Sequence, residues 1–162
     1  MQEDPFERFL GELEYPLFIV TARLGDGTEP TGCLVGFATQ CSIDPPRMLV
    51  CISKANHSFL IMSQATHLAV HVVDHDQREL AELFGGETGD EINKFERCQW
   101  IVGPFGVPLI AGPRRRMLAR VIERRDLGDH LGLLVSPLET IATPSEPLSP
   151  SQIKDLVPGH PL

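Results

Sequence analysis

Residues 31–58, TGCLVGFATQCSIDPPRMLVCISKANHS, decide the fold. They hold two apolar runs, CLVGFATQCSI and MLVCIS, joined through a turn in which Asp44, Pro45 and Pro46 interrupt strand pairing. Each run has the length and composition of a short strand. The chain then turns polar, and Ser53, Lys54, Ala55, Asn56, His57 and Ser58 lead into Phe59, Leu60 and Met62, a helix start with Asn56 as its cap. A strand emptying into such a segment gathers hydroxyls, an ammonium and unpaired helix amides, the donor set a phosphate needs. Capping alone accounts for the same Ser, Asn and His residues, because they are favoured there whether or not anything binds.

The same punctuation continues outward. Upstream, LFIVTARL and the turn-forming GDGTEPTG add a strand, so residues 17–53 read as an antiparallel meander. Before it, Asp4, Pro5 and Glu7 resemble a cap, a first-turn proline and a capping-box acid. Phe6, Phe9, Leu10 and Leu13 follow helical spacing, which predicts an amphipathic helix over residues 5–13 packed by one face onto the body. Downstream, HLAVHVV returns to a strand. Asp74, with Gln77 three places on, opens a helix in which Leu80, Leu83 and Phe84 share a face, and Gly85 and Gly86 end it. A polar loop, GETGDEINKFE, precedes weaker strands near residues 99–102 and 109–110. Two longer ones, RMLARVIERR and HLGLLVSPLETI, are joined by the turn DLGD. Residues 143–162 carry Pro144, Pro147, Pro150, Pro158 and Pro161 and predict an irregular arm with at most one helical turn, at SQIKDL. Short strands joined by tight turns lose their edges by closing into a small barrel. The expectation is a mainly β barrel over residues 1–142, with helices plugging its ends and the arm appended.

At 162 residues and 42% hydrophobic, the chain holds enough apolar material for one core. Its formal charge of −8 and pI near 5.2 argue against nucleic acid as a partner. No apolar run approaches the roughly 18 to 20 residues of a bilayer span, and MQEDPFERFL lacks a signal-peptide core, so no membrane association and a cytoplasmic location are expected. Cys33, Cys41, Cys51 and Cys98 form no CxxC pair and predict reduced, mostly buried thiols.

Taken in order, several segments resemble the flavin reductase-like, FMN-binding split-barrel family. CSIDPPRMLVCISKANHSF resembles that family's strand, S-x-D-P-P turn, second strand and Asn-x-Ser helix start. LAVHVVDHDQRELAELFGG is similar to its strand and helix ending in Leu-Phe-Gly, NKFE to its Lys-Phe element, GVPLIAG to its short Pro-Leu strand, and LGDHLGLLVSPLE to its Gly-Asp-His strand. Order and spacing over residues 14–141, rather than any single motif, carry the likeness.

The resemblance implies an antiparallel Greek-key split β-barrel with short flanking helices. It also implies a homodimer holding FMN, or FAD, near the subunit interface, with NADH or NADPH delivering hydride to flavin N5. Gly36, Phe37, Ala38, Thr39 and Ser42 would line the isoalloxazine edge, Gly36 permitting close backbone approach. Ser53, Asn56, His57 and Ser58 would meet the flavin phosphate, with Lys54 as its cation if that side chain turns inward. Gly128, Asp129 and His130 would meet the nicotinamide; a hairpin whose histidine merely starts a strand is the plainer alternative. No side chain is expected as catalytic acid or base, since the hydride chemistry belongs to the cofactors. A monooxygenase is the implied recipient of reduced flavin. Two other functions stay open: a split-barrel flavoprotein using another reductant, and a non-catalytic flavin- or tetrapyrrole-binding module.

The chain departs from the family pattern in three places. Leu34, Gly36, Phe37 and Ala38 stand where Thr, Ser, Ser and Phe are usual, so fewer hydroxyls are offered to a flavin. Ala119 replaces a usual Cys, and the Pro-rich arm replaces an aromatic closing segment. Elsewhere, His67, His71 and His75 recur every four residues, but on a strand His71 does not meet the other two and no carboxylate or cysteine completes a shell, so no metal site is expected. Arg114, Arg115, Arg116, Arg120, Arg124 and Arg125 form a basic strip, either a guide for anionic phosphates or a solvated face balancing nearby acids.

Overall fold

A computed structural model describes residues 4–25, 28–86 and 93–156. Seven strands form one antiparallel sheet: β1 (Phe18–Ala22), β2 (Thr31–Val35), β3 (Ala38–Ser42), β4 (Arg47–Ser53), β5 (His67–Val72), β8 (Arg115–Asp126) and β9 (His130–Ala142), in the order β2-β1-β5-β8-β9-β4-β3. A separate hairpin, β6 (Trp100–Val102) with β7 (Pro108–Ile110), lies over it. The helices are α1 (Pro5–Gly11), α2 (Phe59–Met62) and α3 (Arg78–Gly85).

The run CLVGFATQCSI is where the expected meander fails. It is not one strand: it breaks at Gly36 and Phe37, its first half pairing with β1 and its second with β4, so β2 and β3 stand at opposite edges of the sheet. Because the two halves are contiguous in the chain, Gly36 and Phe37 join the two edges directly, and the Cys51 N–H donates to the Phe37 carbonyl at 2.9 Å, carrying the β3–β4 ladder up to that join. This covalent join closes the barrel.

Alternation along the strands sorts two cores. Val20, Ala22, Cys33, Val35, Val50, Ile52, Leu68, Val70, Ala119, Leu133 and Val135 point into the barrel, and Met62 from α2 plugs it. Ile19 points the other way, toward Leu17, Val73, Ala81, Phe84, Phe95, Ile110 and Leu148. Helix α3 therefore lies along the outer flank of β1 and β2 instead of plugging an end. Gly32 sits under it, where an added Cβ would come within 2.8 Å of the Phe84 ring. The β6–β7 hairpin covers the outer face of β5 and β8 through Ala69, Val107, Leu109 and Leu118.

Three further expectations change. Helix α1 is capped by Asp4, whose carboxylate accepts from Phe6 N–H at 3.0 Å, but it buries none of its residues, leaving Phe6 65% and Phe9 71% exposed. Asp74 does not open α3, which starts at Arg78. It is fully buried one turn earlier, where its carboxylate accepts from the Arg114 N–H at 3.1 Å, pairs with the Arg114 guanidinium at 3.3 Å and accepts from the Ser145 hydroxyl. The thiols are free, but Cys41 is exposed and only Cys33 is buried, burial pushing its pKa up to about 12. Of the arm, residues 143–156 are described, and Pro158 and Pro161 lie outside them; one short helical turn, Pro150–Ile153, overlaps the expected SQIKDL, and buried Leu148 anchors this part, its N–H donating to the Val73 carbonyl at 2.8 Å.

Candidate functional site

Pairing of β4 with β9 on one side and β3 on the other brings together segments far apart in sequence. The end of β4, the start of β3 and the β8–β9 turn converge, with Ser53 directly opposite His130. The Lys54 N–H donates to the Asp129 carbonyl at 2.9 Å, and its ammonium pairs with Asp126 at 2.9 Å. Asp126 also accepts from the Gly128 N–H at 3.0 Å; Gly128 turns the chain at φ +124, a conformation open to glycine. The Lys54 hydrogen bond, then that of Gly128, holds the Asp126 carboxyl below its usual range. At the end of this turn the His130 Nδ1 lies 2.8 Å from the Asp129 carboxylate, and the Phe37 ring packs against the imidazole with centroids 4.9 Å apart. Residues expected at the flavin and residues expected at the nicotinamide thus touch.

The phosphate seat is altered. Ser58, expected at the flavin phosphate, is buried: its hydroxyl donates to the Gly32 carbonyl at 3.0 Å and accepts from Thr31 at 2.8 Å. Its N–H donates to the Asn56 side chain at 3.0 Å. The Ala55, Asn56 and Phe59 amides are likewise engaged, by the Ser53 hydroxyl oxygen, the Ser53 carbonyl and the Asn56 carbonyl. The turns that lead into this four-residue helix therefore take up the amides of residues 55, 56, 58 and 59, and these are not left unpaired for a ligand. What the seat offers to an anion is the Lys54 ammonium, the Ser53 O–H, the Asn56 amide group and the exposed His57 ring.

Along the expected isoalloxazine edge, Gly36 and Ala38 enter β3, an edge strand on which Thr39 is exposed and Ser42 lends its carbonyl to the Gln40 amide at 3.1 Å. An added Cβ at Gly36 would meet nothing nearer than Leu17 at 3.8 Å, so neighbours within the chain do not demand glycine there.

The remaining clusters resolve into structure. His71 is buried, its Nδ1 donating to the Ile19 carbonyl at 3.0 Å while Nε2 accepts from the Ile110 N–H at 3.0 Å. His67 stacks on Phe105 with centroids 3.9 Å apart, and His75 Nδ1 lies 3.1 Å from the Glu146 carbonyl. Among the described residues no group of His, Cys, Asp or Glu could hold a metal ion. Of the basic strip, Arg114 clamps Asp76 through two bonds of 2.9 Å, Arg115 meets Ser145 at 3.0 Å, Arg124 donates to the Ala65 carbonyl and Arg125 pairs with Glu123 at 2.9 Å. Arg120 lies opposite His67 and Ser136 on the outer face. Reading the sequence missed Asp126 and the ring contact of Phe37. Both follow from the register between β4 and β9, which no local pattern encodes.

Comparison with known proteins places these features in context. Residues 10–150 match the family model described as the flavin reductase like domain. An FMN reductase (NADH) of Agrobacterium fabrum is 30% identical over 145 residues, covering 88% of this chain and 79% of that protein. The reductase component of a flavin-dependent trigonelline monooxygenase from Acinetobacter baylyi is 26% identical over 125 residues, covering 77% of this chain and 39% of its own length. A solved NADH:FAD oxidoreductase of Streptomyces globisporus, in complex with NAD and FAD fragments, superposes with a TM-score of 0.78 at 25% identity, covering 92% of this chain and 91% of that one.

Proposed function

The chain belongs to the flavin reductase-like domain family, and from that premise we propose that it is an NAD(P)H:flavin oxidoreductase acting on FMN or FAD. The observation that carries the reading is the convergence of Phe37, Ser53, Lys54 and His130 at one end of the barrel. These residues fit a flavin and a nicotinamide: an ammonium for a phosphate, an exposed edge strand for the ring, and an imidazole beside it. When bound, the flavin supplies N5 as hydride acceptor for the nicotinamide C4 hydrogen. The protein's part is to bind both rings in register and to orient them through β3 and residue 130. No side chain need move a proton for that transfer.

A tetrapyrrole-binding role would draw on the histidines, and of these His71 is held between two backbone groups and His67 stacks on Phe105. Residues 1–142 act as the flavin-binding unit with the arm appended. Exposed Phe6, Phe9, Ile43 and Phe105 and the free edge of β3 supply surface for a homodimer, and an oxygenase receives the reduced flavin, as the name of the Acinetobacter relative suggests. No described helix is long and apolar enough to cross a membrane.

The test is anaerobic oxidation of NADH and of NADPH by the purified protein with added FMN or FAD. Stoichiometric flavin bleaching supports the reading. If neither reductant bleaches either flavin while a deazaflavin does, the activity belongs to another reductant.

A further inference from the structure

Resting on the placement of residue 130 beside the nicotinamide, we propose that Asp129 and Phe37 are positioning residues. They hold His130 in one orientation and with its Nδ1 protonated, so that Nε2 is the atom presented to the ligand. An ionised carboxylate can only accept, so the 2.8 Å contact between Asp129 and His130 requires the proton on Nδ1, whether the ring is neutral or charged. The same bond is the largest cause that keeps the Asp129 carboxyl below its usual range, and so ionised at neutral pH. The other charges at this turn, Lys54 and Asp126, pair with each other at 2.9 Å.

Backbone bonds hold the tether in place. The Asp129 carbonyl accepts from the Lys54 N–H at 2.9 Å, and the His130 carbonyl accepts from the Leu127 N–H at 3.0 Å. Asp129 is 89% exposed while His130 is 21% exposed, which suits a strut outside the site better than a wall of it. Phe37 supplies the second constraint: its ring, tilted 42° to the imidazole, covers one side of it and stops rotation about χ2. This gives a use to a side chain that stands where the family usually offers a small hydroxyl. A nicotinamide carboxamide carries both a donor and an acceptor, so a single fixed ring nitrogen suffices to select its orientation.

The test reads the ring nitrogens directly. Histidine-labelled, ligand-free protein is examined by long-range proton–nitrogen correlation at about pH 8.5, where an ordinary imidazole is neutral; His130→Gln assigns the signals. The expected wild-type pattern is a protonated Nδ1 and a bare Nε2, lost in Asp129→Ala and retained in Asp129→Asn, whose amide oxygen can still accept. In parallel, Asp129→Ala and Phe37→Ala lower kcat/KM for the nicotinamide roughly tenfold, the size of one charge-assisted hydrogen bond, with flavin Kd unchanged for Asp129→Ala. A wild-type ring protonated on Nε2, or a pattern indifferent to Asp129→Ala, overturns the proposal. Full activity in His130→Gln overturns instead the placement of the nicotinamide.

Discussion

The Ile110 N–H donates to the Nε2 of His71 at 3.0 Å, while the other ring nitrogen is bound to the Ile19 carbonyl. One neutral imidazole thus pins the β6–β7 hairpin to β1 across the outer face of β5. Burial, the largest cause, lowers its pKa from 6.5 to about 4. A protonated Nε2 could no longer accept from Ile110.

Stability should therefore fall with acid in a way this residue controls. The unfolded ring titrates at 6.5 and the folded ring at about 4, so the contribution is whole above 6.5 and is lost as pH falls toward 4. The size is on the order of 3 kcal/mol. Urea unfolding of wild type and His71→Gln at several pH values in that window tests it; parallel curves would refute the assignment.

Removing Asp74 should loosen the arm. Asp74→Ala strands Arg114 and Arg115 without their buried partner and should cost about 3 kcal/mol. Leu148→Ala should cost about 2 to 3 kcal/mol by cavity formation alone. Limited proteolysis should cut the arm of both variants faster than that of wild type. Equal cutting rates would mean that these contacts do not hold it.

Two glycines in one strand run separate packing from binding. Gly32→Ala drives a Cβ into Phe84 and should destabilise by about 1 to 3 kcal/mol, seen in the unfolding midpoint. Gly36→Ala meets only Leu17 at 3.8 Å and should leave stability within about 0.5 kcal/mol while weakening flavin binding. Unchanged flavin affinity in Gly36→Ala would remove that residue from the site.

Lys54 is shared between its own turn and any bound phosphate. Lys54→Gln should raise the FMN Kd roughly tenfold at low salt and flatten its salt dependence, whereas Asp126→Asn, which frees the ammonium, should lower the Kd. Because Lys54 is only half-buried and Asp126 is exposed, neither change should much affect stability. An FMN Kd indifferent to Lys54→Gln would put the phosphate elsewhere.

Much of the architecture was legible in the chain. The DPPR turn, the alternation in residues 116–125 and 130–141 and the apolar run over residues 67–73 are local signals of period and punctuation, and each became the expected element. Helix α3 was also legible, but its start was not, because Asp74 and Gln77 form a cap-like pair one turn ahead of it. The surroundings of Ser58 were not legible for a related reason: a hydroxyl at a helix start reads the same whether it faces solvent or, as here, the Gly32 carbonyl.

Most strands, their turns and the barrel class could be read from the chain alone, since they depend on residues a few positions apart, and the family could be read from resemblance. Only the tertiary structure decided that residues 31–42 belong to two edges of the sheet, that Lys54 answers to Asp126, and that Phe37 rests on His130. Those contacts depend on strand register and barrel closure. Both are set by how the whole core packs, because a one-residue slip would turn every inward side chain outward.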